Sequence, residues 1–106
     1  MPKFVLFFSF TAQTVSTMIQ SDAQPFVDSL VKTLTAAGGS LEKYYWMRGK
    51  LDALAIASAP TDMDVNAVSL ALASTGQYSH VETHELVDPT DFVTLLAEAR
   101  RLTLAS

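Results

Sequence analysis

Residues 41–58, LEKYYWMRGKLDALAIAS, contain the pattern that decides the fold. Aromatic and aliphatic side chains dominate both halves of this stretch, and Gly49-Lys50 separates them. Glycine adopts positive φ without steric penalty, so this dipeptide is typical of the tip of a tight β-hairpin. The stretch therefore predicts one strand over residues 41–48 and a return strand over residues 51–58.

An apolar strand is predicted before the hairpin, over residues 3–10, because the segment is rich in Phe and Val and too short for a buried helix. Residues 12–37 then predict two helical pieces, since Pro25 fits the first turn of a helix better than its interior. Gly38-Gly39 supplies the left-handed stop that helix ends favour.

Beyond the hairpin, a helix is predicted to begin at Thr61 or Asp62 and to stop at Gly76. A fourth strand follows over residues 78–87, and residues 88–91 open a last helix. The order is β-α-β-β-α-β with an added C-terminal helix, which predicts an α+β, ferredoxin-like antiparallel sheet with helices on one face.

Length and composition narrow the class of protein. The chain has 106 residues, which predicts a single domain over residues 1–106. It contains no cysteine, which excludes disulfides, thiolate metal sites and cysteine nucleophiles. The net charge is −4, and the one basic cluster, Lys43, Arg48 and Lys50, is too small to indicate nucleic-acid binding. No segment has the length of a membrane span or the pattern of a signal peptide, so we expect a cytoplasmic protein without membrane contact.

Both faces of the sheet centre are predicted to need burial. Val5 and Phe7 oppose the Phe4/Leu6/Phe8 row, and no side chain in residues 53–57 is polar. Helices cover one face only, so the other face predicts a two-fold, sheet-to-sheet homodimer or a higher oligomer. The alternative is that the C-terminal helix folds back over this face.

The hairpin sequence, YWMRGKLDALAI at residues 45–56, resembles the GYD family of small bacterial proteins. Further matching pieces are MPKFV at residues 1–5, SFT at residues 9–11, AAGG at residues 36–39 and AP at residues 59–60. Leu51 stands where the family motif has its tyrosine. The resemblance implies a dimeric α/β-barrel domain whose family function is unassigned. The wider superfamily includes cofactor-free monooxygenases, isomerases, haem-degrading enzymes and modules without catalytic activity, so the fold alone does not give the function.

His80, Glu82 and His84 form the sharpest candidate site. Strand side chains alternate, so all three leave the fourth strand on one face. Two imidazoles and a carboxylate match the ligands of a facial triad or a catalytic zinc site. The alternative, which we favour, is an edge strand with its polar face toward water and with Val81 and Thr83 facing inward. We accordingly expect no metal and no cofactor.

Tyr44, Tyr45, Trp46 and Arg48 form a second candidate site, which could stack on or clamp a planar anionic ligand. The same residue types also fill cores and interfaces. Asp52 either acts as a base or, as is more usual beside a turn, bonds turn backbone. If the chain is an enzyme, His84, Asp52 and Tyr45 are the candidate catalytic residues.

The sequence is compatible with two classes of function and argues against a third. The first is a homodimeric domain that binds a small apolar or aromatic metabolite between sheet and helices. The second is a cofactor-free monooxygenase or isomerase, which requires an ionisable group inside an apolar pocket. RNA binding is set aside, because RNA-recognition modules of this topology stack bases on aromatic side chains of the third strand, which is ALAIA here.

Overall fold

The computed structural model describes residues 1–105 and contains four strands and four helices. In chain order they are β1 (Lys3–Phe10), α1 (Ala12–Gln20), α2 (Gln24–Ala36), β2 (Ser40–Trp46), β3 (Ala53–Ser58), α3 (Asp62–Ala73), β4 (Tyr78–Leu86) and α4 (Pro89–Ala105). This confirms the predicted element order, including the division of the first helical region at Pro25, which lies in the first turn of α2.

The strands form one antiparallel sheet in the order β2-β3-β1-β4. The two most apolar strands, β1 and β3, lie at its centre, as predicted. Strand β1 begins opposite the end of both neighbours, with Lys3 across from Ser58 of β3 and Leu86 of β4. The fold is the ferredoxin-like α+β arrangement.

The core lies between one sheet face and helices α2 and α3. Alternation along β1 turns every second side chain inward, and the row Phe4, Leu6, Phe8 and Phe10 is buried. Strand β3 contributes only Ala53, Ala55 and Ala57 to this face, which leaves room for the helices to pack closely. The helices supply Leu30, Leu34, Val65, Val68 and Leu72.

The hairpin is wider than predicted. Strand β2 ends at Trp46 and β3 begins at Ala53, so residues 47–52 form a loop instead of a two-residue turn. The Met47 N–H still donates to the Asp52 carbonyl across the base of the loop, at 2.7 Å. Gly49 has φ +140°, which confirms the predicted positive φ at the tip. At the end of the loop, the Asp52 N–H donates to the Phe8 carbonyl of β1 at 2.8 Å.

Helix α4 projects from the rest of the chain. None of its residues is buried, and the chain extends over 58 × 29 × 22 Å. The alternative that this helix folds back over the second sheet face is therefore wrong for the single chain. Within residues 1–105, none of the helices has the length and hydrophobicity needed to cross a bilayer.

Candidate functional site

The sheet face opposite α2 and α3, called here the uncovered face, has an apolar centre. Its central side chains, Val5 and Phe7 of β1 and Leu54 and Ile56 of β3, are only partly exposed. The register places Tyr45 of β2 beside Leu54 on this face. The apolar centre that the sequence predicts for both faces of the sheet is thus present.

His80, Glu82 and His84 lie on the same uncovered face. They stand opposite Ser9, Phe7 and Val5 of β1. The His84 ring packs edge-on against Phe7 with centroids 5.8 Å apart. Val81 packs against the core and Thr83 bonds Ser69 of α3 at 2.6 Å, so both face inward as predicted.

Glu82 holds the two imidazoles in a hydrogen-bonded row. Its carboxylate oxygens lie 3.1 Å from His80 Nε2 and 2.7 Å from His84 Nε2. An ionised carboxylate only accepts hydrogen bonds, so both Nε2 atoms donate and neither offers a lone pair to a metal ion. Among the residues described, no group of three or more His, Cys, Asp or Glu side chains is arranged to hold a metal ion.

These bonds predict the acid titration of Glu82. The hydrogen bond from His84, and then that from His80, lowers the pKa of the Glu82 carboxyl below 4.5. Because the Glu82 carboxyl has a lower pKa in the folded chain than in the unfolded chain, its ionised form stabilises the fold above about pH 4.5. This contribution is lost as the pH falls through the lowered pKa. We expect NMR titration of the Glu82 side chain to show a low pKa that rises more in His84→Ala than in His80→Ala. Identical Glu82 titrations in all three proteins would contradict the proposed hydrogen bonds.

A β-bulge brings Tyr78 to the opposite, helix-covered face. Ser9 pairs with His80 but Phe10 pairs with Tyr78, so Ser79 is the extra residue. Without the bulge, strict alternation would place Tyr78 on the uncovered face with His80. The bulge instead stacks Tyr78 against Phe10, with ring centroids 4.9 Å apart.

The aromatic rings at this end of the sheet form a connected group, called here the aromatic cluster. Its members are Phe8, Phe10, Phe26, Tyr44, Trp46 and Tyr78. Phe10 is the centre, 6.0 Å from Trp46 and 6.2 Å from Phe26. Tyr44 meets Trp46 edge-on at 4.9 Å. The cluster runs from buried rings to Trp46, which is 48% exposed.

Both tyrosine hydroxyls of the aromatic cluster are held in the protonated form. Burial raises the pKa of Tyr78 to about 12. Burial, and then the neighbouring Tyr78, raises the pKa of Tyr44 further. At neutral pH these groups are hydrogen-bond donors and not bases.

The second predicted site is divided by the sheet. Tyr44 and Trp46 point to the helix side, whereas Tyr45 lies on the uncovered face. Arg48 is exposed in the loop of residues 47–52. The Asp52 carboxylate accepts the Phe10 N–H at 2.9 Å, so it bonds the backbone of β1 rather than that of the hairpin turn. The predicted site of Tyr44, Tyr45, Trp46 and Arg48 therefore does not form one clamp around a ligand.

Phe10, Phe26 and Tyr78 were not among the predicted site residues. Phe10 and Tyr78 fall within predicted strands, and Phe26 falls within the predicted helical region of residues 12–37. Phe26 also lines a cleft of about 280 Å³ together with Thr14, Thr75 and Gln77. The available signal was that the ends of the first and second predicted strands lie near the start of the fourth, but the bulge at Ser79 has no marker in the sequence.

Comparison with known proteins agrees with this fold. The model of the GYD domain family matches residues 4–96. No curated protein gives a significant match to the sequence.

Several solved structures are similar in fold at low identity. FFRP-DM1 has a TM-score of 0.58 at 10% identity, covering 82% of this chain and 100% of that one. A 5-chloro-2-hydroxyhydroquinone dehydrochlorinase from Burkholderia phenoliruptrix, in complex with 2,5-dihydroxybenzoquinone, has a TM-score of 0.56 at 10% identity, covering 84% and 97%. An uncharacterized NIPSNAP domain protein from Burkholderia xenovorans has 0.53 at 16%, covering 83% and 94%. At these identities the similarity concerns the fold alone.

Proposed function

The chain belongs to the GYD domain family, and from this premise we propose that it is a homodimer that binds a small apolar or aromatic molecule at the aromatic cluster. The observation that carries the proposal is the series of contacting aromatic rings that extends from buried Phe10 to half-exposed Trp46. Such a series of rings offers an exposed aromatic surface to a planar ligand, since aromatic rings pair edge-on or offset with centroids about 4.5–7 Å apart.

The uncovered face supports the dimer. Val5, Phe7, Leu54 and Ile56 form a continuous apolar centre that no helix of the same chain covers. Burying about 200–300 Å² of such surface at ~25 cal/mol per Å² contributes several kcal/mol. A second copy presents the same face, so a two-fold contact buries both centres at once.

The tyrosines support a ligand that carries an oxygen atom. Protonated Tyr44 and Tyr78 can each donate a hydrogen bond to a carbonyl or hydroxyl oxygen at the edge of a planar ring. The related fold that binds 2,5-dihydroxybenzoquinone supplies a probe of this chemical class.

The contacts of the candidate bases favour binding over catalysis. A cofactor-free monooxygenase or isomerase requires a base beside its substrate. The Asp52 carboxylate is bonded to the Phe10 backbone, and the tyrosines of the cluster hold their protons at neutral pH. His84 lies on the other face of the sheet from the cluster. The monooxygenase or isomerase alternative therefore has less support than ligand binding.

The test is an NMR titration with 2,5-dihydroxybenzoquinone and, as a less polar probe, indole. Trp46 is the only tryptophan, so its indole N–H gives a single resolved signal at the site. We expect saturable shifts at Trp46 and Tyr78 but not at Tyr45, because Tyr45 lies on the uncovered face. Trp46→Ala should weaken binding at least about tenfold, a loss of roughly 1.4 kcal/mol.

Tyr45→Ala is the matched control. Tyr45 is adjacent in sequence and equally exposed, at 52%, but belongs to the opposite face. Its replacement should leave the affinity unchanged. Binding that survives Trp46→Ala, or that is lost equally in Tyr45→Ala, would place the ligand elsewhere, and the absence of saturable shifts with both probes would contradict the proposed ligand class.

A further inference from the structure

Helix α4 carries an apolar stripe along one side. Its members recur at the helical spacing i, i+3, i+4, i+7 and i+10, so they lie on one face. They are Phe92, Leu95, Leu96, Ala99 and Leu102. The four large members are 52–53% exposed. A stripe of this width is typical of a helix that packs against a protein core.

The charged side chains of α4 lie beside the stripe or opposite it, and none lies within it. Glu98 and Arg101 pair with each other at 2.6 Å, three residues apart on the same helix. The acidic residues Asp91 and Glu98 are balanced by Arg100 and Arg101. A helix that binds a membrane surface usually has a strongly cationic polar face, which this helix lacks. The charge pattern thus favours a protein partner over a lipid surface.

We propose that the stripe of α4 packs against a second copy of this chain, so that the two copies exchange their C-terminal helices. The inference rests on the homodimer proposed above and adds a second contact surface to it. A helix of 17 residues is marginally stable in water by itself and gains its stability from packing. The helix follows directly from β4, the strand that carries the polar row of the uncovered face, so both surfaces can meet one partner.

The area required by a stable dimer supports this assignment. The four half-exposed side chains leave on the order of 300 Å² of apolar surface in water, and the centre of the uncovered face leaves roughly as much. A standard interface buries about 800 Å² on each partner. The sheet face alone falls well short of this area, whereas the two surfaces together approach it.

The groove beside α4 shows that the helix does not close onto its own chain. It has a volume of about 670 Å³ and is lined by Leu95 of the stripe, by Met1 and Pro2, and by Leu86 and Val87 at the end of β4. A partner helix or strand that enters this groove would cover Leu95 and the exposed end of the sheet in one contact.

The test uses the full chain and two substitutions on different sides of α4. Phe92→Glu places a charge in the stripe, while Ala97→Glu places the same charge on the opposite side, because exposed Ala97 is not three or four residues from any member of the stripe. Sedimentation equilibrium should show that Phe92→Glu raises the dimer dissociation constant by about a hundredfold, since each substitution occurs twice in a two-fold interface. Ala97→Glu should leave the dissociation constant unchanged.

An isotope-filtered NOE measurement on a mixture of labelled and unlabelled chains locates the contact directly. We expect NOEs between Leu95 or Leu96 methyl groups of one copy and protons of the other. A wild-type dimer with equal dissociation constants in both variants and no such NOEs would overturn the exchange while leaving the sheet-face dimer intact. A wild-type chain that stays monomeric at millimolar concentration would instead overturn the homodimer itself and the exchange with it.

Discussion

Replacing Gly39 with alanine is expected to lower the free energy of unfolding by about 3 kcal/mol or more. A Cβ at this position would lie 2.2 Å from the Ser58 carbonyl oxygen and 3.3 Å from the Ala59 Cα. Both atoms belong to the backbone at the end of β3, which cannot move without disturbing its pairing with β1 and β2. The close approach leaves no space for a side chain at residue 39.

Gly76→Ala is the matched control for Gly39→Ala. Gly76 has φ +77° and no atom within 4 Å of an added Cβ, so alanine there meets backbone strain but no collision. The cost should be about 1 kcal/mol. Urea denaturation of both variants measures the difference. Equal midpoints would show that the strand end at Ser58 yields to the added methyl group.

Phe8→Ala should be the most destabilising truncation in the sheet, at about 3–5 kcal/mol. Phe8 is completely buried among the core side chains and meets Tyr78 at 5.2 Å. Removing its ring leaves a cavity enclosed by strands and helices that cannot collapse fully. Chemical denaturation should show the same loss at every protein concentration, because the cavity lies inside one chain.

Phe7→Ala, one residue earlier, should behave differently. Phe7 lies on the uncovered face, partly exposed beside His84. In a sheet-to-sheet dimer its loss raises the dissociation constant, so the stability lost relative to the wild type should increase with protein concentration as the wild type passes from monomer to dimer. A Phe7→Ala protein whose stability loss does not vary with concentration would argue against this face as the interface.

Much of the architecture is encoded locally and was therefore predictable. Residues 3–10 form a short run rich in Phe and Val, and the bounds of β1 agree with the strand predicted from it. Pro25, Gly38 and Thr61 mark helix boundaries because each restricts or bonds the backbone at its own position. The central position of β1 and β3 follows from their apolar character on both faces.

The candidate sites were less predictable because they depend on contacts between distant segments. The Asp52 carboxylate binds the Phe10 backbone of β1, and nothing near Asp52 in sequence indicates that partner. The bulge at Ser79 moves Tyr78 to the opposite face from the one that alternation predicts. The apolar stripe of helix α4 is typical of a helix that packs against a core, yet no residue of this helix is buried within its own chain.

The central position of β1 also has a consequence for synthesis. Lys3 pairs with Leu86, so β1 completes its pairing only after β4, the last of the four strands, has been synthesised. Hairpin β2-β3 and helices α2 and α3 can form earlier, because their contacts are local. Until β4 arrives, one edge of the Phe-rich β1 remains open, which makes Phe4–Phe8 the segment of the nascent chain most prone to aggregation.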